Sequence, residues 1–345
     1  MGSHRRPKPA RSRGAGMLTT TAAAAVVLSA QTASADPLPD PGKKGVEAEV
    51  ARLYEAATQA TEKFNGAKEK ADALQKEVSE LQDAAARKQA DLHVLREQVG
   101  SFAAAQYRAG GLDPSVQLML SGDPDSFLDR AGAQQRVGER RMTALRLYQA
   151  EQRQLGQQRA EASRKLADLE ASRAEQRRKK SEVQGKLAEA QKLLNTLSAE
   201  ERARIAAEDE RADRAGARAD LGDERSASAR GAQAFAAAKS RVGMPYVWGA
   251  TGPGSFDCSG LTSWAFKQAG VSIPRTSQAQ AGVGTRIGSL GDLRPGDLII
   301  MRTDLSHVGF YAGNGQILHS PKPGAQVRYE SIARSGMPFM WGVRL

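Results

Sequence analysis

From Val46 to Phe102 the apolar residues recur at alternating spacings of four and three: Val46, Val50, Leu53, Ala57, Ala60, Phe64, Ala67, Ala71, Leu74, Val78, Leu81, Ala85, Leu92, Leu95, Val99 and Phe102. Only Lys88 breaks the register. A 3.5-residue apolar repeat held this long specifies a coiled-coil seam, which requires a second long helix against it. At ~1.5 Å rise per residue the helix reaches ~90 Å. Ala109-Gly110-Gly111 supplies a stop. The stretch from Pro114 to Asp125 reads as a turn region holding a short helix, Val116 to Leu120. A second long helix starts near Ser126, with Asp123 or Asp125 as its cap. Leu155, Ala162, Leu166, Leu169, Val183, Leu187, Ala190, Leu194 and Leu197 share one register in it, interrupted by a polar patch at Arg173, Gln176 and Lys180. The simplest architecture for residues 46–210 is an antiparallel helical hairpin; a parallel dimer of long helices is the alternative. His93 lies between heptad positions and reads as a solvated residue, so this segment positions, regulates or recruits.

Ahead of the heptads, Arg5, Arg6, Lys8, Arg11 and Arg13 precede a short apolar run, Ala22 to Leu28, and then Ala33-Ser34-Ala35. A basic start, a short apolar core and an A-x-A site make residues 1–35 a secretory signal peptide. The apolar run is well below the ~20 residues a spanning helix needs. Residues 36–45 read as a linker. The expected location is secreted or associated with the cell wall.

The net charge is +11. Removing residues 1–35 takes away five basic residues and leaves +6, and the segment from Gly231 onward carries 11 basic and 5 acidic residues. The positive surplus therefore sits on the C-terminal part, which suits an anionic matrix such as a cell wall with acidic polymers. An exported chain without clustered Lys/Arg or aromatic platforms does not suit nucleic acid.

Residues 211–230 decay into Ala, Arg, Asp, Gly and Ser and read as frayed helix and linker. From Gly231 to Leu345, Gly, Pro and aromatics rise and heptads give way to short apolar runs. Ala232 to Arg241 and Ser259 to Ala269 read as helices. Asp297 to Met301, Val308 to Ala312 and Gln316 to His319 read as strands, with turn signals at Pro295-Gly296 and Asn314-Gly315. Helices followed by strands indicate an α+β domain with an antiparallel sheet.

The single cysteine, Cys258, is incidental, paired with another molecule, or chemically used. It falls where loop becomes helix. Free amides and the positive end of the helix dipole lower a thiol pKa there, and the same amides can hold an oxyanion. The alternative is a small buried thiol. Pairing about Asn314-Gly315 would bring His307 and His319 together, one as base and one to orient it. A zinc site built from these three residues lacks a metal-type spacing.

Six motifs appear in order: Pro245-Tyr246-Val247-Trp248-Gly249, Phe256-Asp257-Cys258-Ser259-Gly260-Leu261, Pro274-Arg275-Thr276-Ser277, Leu293-Arg294-Pro295-Gly296-Asp297-Leu298, His307-Val308-Gly309-Phe310-Tyr311 and Gly315-Gln316-Ile317-Leu318-His319. Together they resemble the NlpC family of papain-like cell-wall cysteine endopeptidases over nearly all of residues 235–345. The exported hairpin resembles actinobacterial members. The resemblance implies Cys258 as nucleophile, His307 as general base and His319 as orienting residue. It implies that Tyr246 lines the site and that Asp257, Ser259 and Ser306 hold the polar end of a stem peptide. The implied target is the bond between γ-D-glutamate and diaminopimelate or lysine in peptidoglycan, cut without metal or organic cofactor. Ala250 departs from a glycine common after the Trp-Gly pair. An acyltransferase or amidase of the same fold would use the same three residues, and a noncatalytic wall or division scaffold is the third class.

The hairpin is long enough to fold back on its own catalytic domain. It is expected either to shield the Cys258 cleft until a partner, such as a membrane-anchored division or transport complex, pulls it away, or to act as a passive spacer.

Overall fold

The computed structural model describes residues 43–345 apart from 109–115, 117–118, 121–126, 220, 223–225 and 227. The residues read as a signal peptide, most of the expected linker at 36–45, the cap expected at Asp123 or Asp125 and two of the five residues of the short helix expected from 116 to 120 lie outside the described residues.

Helices α1 (Lys43–Arg108) and α2 (Phe127–Thr196) form the hairpin. Its polarity follows from its cross-links. Arg159 donates to Gln89 (2.6 Å), Lys165 pairs with Glu77 (2.7 Å), and the Ser172 hydroxyl donates to the Ala67 carbonyl (3.0 Å), so partner numbers fall along α1 as they rise along α2. The seam buries Val46, Val50, Leu53, Ala57, Ala60, Ala67, Ala71, Leu74, Val78 and Leu92 from α1 against Leu155, Leu169, Val183 and Ala190 from α2. Lys88, the break in the heptad, forms an ion pair with Glu151 of α2, which explains a charge at that position. Leu166, expected in the seam, is 41% exposed, and buried Ser172 contributes to the interface instead. A 3.6-residue helix drifts from a strict 3.5 repeat, and the polar patch that follows marks the drift.

The chain does not run from α2 straight into a linker. Ser198 caps a further helix, α3 (Ala199–Ala217), through a capping box: Glu201 N–H donates to Ser198 Oγ (3.2 Å) and Ser198 N–H to the Glu201 carboxylate (2.9 Å). Residues 211–217, read from sequence as frayed helix and linker, complete this helix. Asp209 and Asp213, four residues apart and so on one face, reach the C-terminal domain at Lys322 (3.0 Å) and Arg328 (2.9 Å) respectively. Gly216 packs so closely on the Tyr329 backbone that any Cβ there would overlap it.

The C-terminal domain begins at α4 (Ala229–Lys239), capped by Ser228, and continues through α5 (Cys258–Gln268) and the single turn α6 (Ser277–Gln280). Six strands follow: β1 (Thr285–Ile287), β2 (Leu298–Met301), β3 (His307–Gly313), β4 (Gln316–His319), β5 (Arg328–Ser331) and β6 (Phe339–Arg344). They form one antiparallel sheet in the order β1-β6-β2-β3-β4-β5. The fold is thus α+β, as expected, with β1, β5 and β6 beyond the strands read from sequence. Helices α4 and α5 cover one face, where Phe235, Leu261, Phe266, Leu298, Ile300, Val308, Phe310 and Leu318 form the main core. Phe266 stacks on Phe310 with ring centroids 5.6 Å apart. This packing holds the start of α5 against the start of β3, where the candidate site lies. No helix among the described residues is long and apolar enough to cross a membrane.

Candidate active site

Cys258 is the first residue of α5, and Asp257 is its N-cap. The Asp257 side chain accepts from Gly260 N–H (2.6 Å), which satisfies an amide the helix leaves open. Its other oxygen accepts from Gly249 N–H (2.9 Å) and Arg275 (2.6 Å). Gly260 lies so close to the Ala250 carbonyl that a side chain there would overlap it. The loop from Tyr246 to Phe256 is thereby locked to the start of α5, which fixes the backbone that carries Cys258. Its sulfur lies 3.9 Å from the carbonyl of Ser306, the residue before His307.

The β3–β4 hairpin turns at Asn314 and Gly315, both with positive φ (48° and 66°), the backbone a two-residue turn of this kind requires. Its pairing, Phe310 with Leu318 and Tyr311 with Ile317, brings His307 and His319 together. His307 Nε2 lies 2.8 Å from His319 Nδ1, and the rings meet edge to face. His307 Nδ1 is buried and has no hydrogen-bond partner among the described residues. On the far side, His319 Nε2 lies 2.9 Å from a Glu330 oxygen. Burial opposes the charge of Glu330, but the His319 hydrogen bond and the charges of His319 and Arg328 outweigh it and hold its pKa down at about 2.

The cleft in front of Cys258 is filled by α1. Thr58, Thr61, Glu62 and Asn65 are each 1–2% exposed, a buried polar stripe on one helix face. One Glu62 oxygen lies 3.8 Å from Cys258 Sγ and accepts from Ser259 Oγ at 2.7 Å. The other accepts from Ser277 N–H (2.6 Å) and Ser277 Oγ (2.9 Å). Asn65 donates to Asp257 (3.0 Å), the Thr58 hydroxyl meets buried Tyr246, and Phe64 packs edge-on against Trp248 at 5.3 Å. Glu55 pairs with Arg302 at 2.9 Å.

This occupancy reverses one expectation. The helix start was read as lowering the Cys258 pKa. Here burial, then the Glu62 and Asp257 carboxylates, push the thiol well above its ordinary value. Burial, then His319 and Arg302, push His307 well below its own. Both groups are therefore neutral with α1 in place. A carboxylate against a thiol opposes the thiolate, and with both side chains buried solvent screens the pair little.

Of the residues implied to bind substrate, Tyr246 and Ser259 border Cys258 and face α1. Asp257 is wholly buried as cap and partner of Arg275. The Ser306 hydroxyl donates to Asp304 (2.7 Å). Sequence reasoning did not single out Glu62, Asn65 or Glu330, and gave Arg275 and Ser277 only as motif residues.

A lone cysteine at a helix start, with two hydrogen-bonded histidines at the start of one strand and the end of the next in an antiparallel sheet, is the residue set that a papain-like thiol-nucleophile domain would use. Residues 243–343 match the NlpC/P60 family model, so this part of the chain is an NlpC/P60 domain. A probable endopeptidase of Corynebacterium glutamicum is 48% identical over 108 residues, 31% of this chain and 50% of that protein. A probable endopeptidase of Mycobacterium tuberculosis is 48% identical over 100 residues, 29% of this chain and 26% of that protein. The crystal structure of the NlpC/p60 domain of the peptidoglycan hydrolase SagA is 33% identical, covering 33% of this chain and 98% of that one, with a TM-score of 0.31. The chain thus spans half the length of the Corynebacterium relative.

Proposed function

We propose that the chain is a cysteine endopeptidase of the cell wall, acting on peptidoglycan stem peptides at the γ-D-glutamyl bond to diaminopimelate or lysine. The observation that carries this reading is the His307–His319 pair together with Cys258, whose sulfur lies at a helix start 3.9 Å from the carbonyl preceding His307, within an NlpC/P60 domain. His307 takes the thiol proton and the Cys258 sulfur attacks the γ-carbonyl. The amides at the start of α5 hold the oxyanion. His307 protonates the departing amine, and water, activated by the same imidazole, releases the acyl group from its thioester. Tyr246, Asp257, Ser259 and Ser306 shape the polar side of the cleft. The positive C-terminal domain suits a location outside the cell, on or near the wall.

The chain acts as a latent enzyme, because α1 holds the cleft shut and both reacting groups neutral. Release calls for an agent that draws the hairpin away, for which an envelope-anchored division or transport complex is the natural kind. Mass spectrometry of muropeptides incubated with the protein, after Glu62→Ala weakens the α1 contact, tests the reading. Stem peptides cut between the second and third residues, and no cutting once Cys258→Ala is added, support it. Products joined to a second amine would indicate transfer, and cutting that survives Cys258→Ala would remove the cysteine mechanism.

A further inference from the structure

The two histidines do not end the hydrogen-bonded line. Pairing of β4 with β5 sets His319 opposite Arg328 and Ile317 opposite Glu330, which puts Arg328, Glu330, Ile317 and His319 on one face of the ribbon. On that face His319 Nε2 meets Glu330 at 2.9 Å, and Arg328 approaches the same carboxylate at 3.5 Å. Arg328 is nearly buried and is held from the other side by Asp213 of α3 at 2.9 Å, with Asp209 at 3.9 Å. His319 is fully buried, so its ring cannot exchange partners with water.

An ionised carboxylate can only accept. His319 must then carry a proton on Nε2, and whenever its ring is neutral it presents a bare Nδ1. That atom lies 2.8 Å from His307 Nε2 and can only accept from it. His307 then carries its own proton on Nε2 and leaves Nδ1 unprotonated. Nδ1 is the one buried ring nitrogen of this pair without a hydrogen-bond partner among the described residues. A base toward Cys258 must accept through that atom. The direction of every hydrogen bond in the line follows from the acceptor at its end.

We infer that Glu330 is a positioning residue for the proposed peptidase reaction, acting through His319 to fix the Nε2–H tautomer of His307 and keep Nδ1 free to take the Cys258 proton. This deepens the role assigned to His307 above. Without the carboxylate, His319 can turn its proton to Nδ1 and donate to His307 Nε2. The neutral His307 would then be protonated on Nδ1 and useless as a base. Glutamine is the sharp substitution, since its amide nitrogen donates where the carboxylate accepts. Aspartate keeps the acceptor.

The tautomers can be read without substrate, so the test separates this inference from the peptidase reading. Imidazole ¹⁵N spectra of the full chain, labelled at histidine, distinguish Nδ1–H from Nε2–H rings. His307 and His319 are expected as Nε2–H tautomers in the wild type and in Glu330→Asp. Glu330→Gln is expected to move both toward Nδ1–H. In the Glu62→Ala background, Glu330→Gln should lower kcat on soluble muropeptides roughly 10²-fold with little change in KM, and Glu330→Asp should recover most of it. Unchanged tautomers in Glu330→Gln overturn the inference, as does equal damage by Gln and Asp, which would mean Glu330 only supports the fold. A Glu62→Ala protein that cuts no muropeptide would remove the peptidase reading but leave the tautomer result standing.

Discussion

Glu62 of α1 lies 3.8 Å from the sulfur of Cys258 across 196 residues of chain. Its carboxylate also takes three hydrogen bonds from Ser259 and Ser277, so the contact is a fitted polar plug rather than a loose approach. A buried carboxylate loses several kcal/mol of hydration unless it is paired, and these donors, with Arg275 close by, offset that loss only while α1 is docked. The same donors stand free to meet substrate once it leaves.

Glu62→Ala removes the shared acceptor and leaves the Ser259 and Ser277 donors with water or nothing. Undocking should become easier, and alkylation of Cys258 by iodoacetamide should accelerate about tenfold or more, equivalent to about 1.4 kcal/mol of docking free energy. Glu62→Gln keeps an oxygen acceptor and should fall between. Equal alkylation rates for wild type and Glu62→Ala would mean that Glu62 does not hold the cleft shut.

The site was legible because its chemistry uses scarce residues. One cysteine and four histidines leave few combinations, and the turn at Asn314-Gly315 states how two of those histidines meet. The hairpin was legible from its period. Glu62 was not, because a glutamate on a charged 66-residue helix looks the same whether it faces solvent or a partner folded back from far along the chain. Strands β1 and β5 escaped for a related reason: Thr285–Ile287 and Arg328–Ser331 carry mostly polar residues, and only their sheet neighbours make them strands. The capping box at Ser198 and Glu201 was readable, yet the Ala- and Arg-rich composition after it obscured a helix that depends on docking against β5.

That docking gives a second prediction. Asp213→Asn removes the charge facing Arg328 while keeping the shape of the side chain. Hydrogen exchange at the α3 amides from 209 to 217 should quicken several-fold, since a charge-assisted hydrogen bond between largely buried partners is worth roughly 1.5–3 kcal/mol. Exchange in α5 should not change. Unaltered α3 protection would show that the Asp209 pairs, apolar packing and Gly216 hold the helix without Asp213.

Gly260→Ala is expected to be far more disruptive than its one methyl group suggests. The new Cβ would overlap the Ala250 carbonyl, and both backbones are fixed by the Asp257 cap. Overpacking of this kind costs roughly 1–3 kcal/mol. The strain falls on the turn that aims Cys258, so urea unfolding should shift to lower midpoint and the thiol should lose its single environment. Wild-type stability together with a wild-type Cys258 alkylation rate would show that the loop yields without moving the sulfur.

The plug should also respond to pH, and the direction follows from Glu62. Docked, burial and then the charge of Asp257 raise its pKa from 4.5 to about 7, against hydrogen bonds from Ser259 and Ser277 and the charge of Arg275. Released into water it returns toward the ordinary value. A pKa raised in the docked form means that docking takes up a proton. Docking is therefore strongest below about pH 4.5 and weakens as pH rises through about 7. Among the other nearby groups, Cys258, raised while docked, acts in the same direction but only above this range, Arg275 stays charged, and His307, pushed well below its usual value, acts in the opposite direction. The Ser277 amide, which donates to Glu62, is a direct reporter. Between pH 5 and 8 its docked resonance should lose intensity to an undocked one in the wild type, and that loss should vanish in Glu62→Gln, which cannot titrate. A docked population that grows with pH would reverse the sign and show that Glu62 enters the cleft as an anion stabilised there by Arg275.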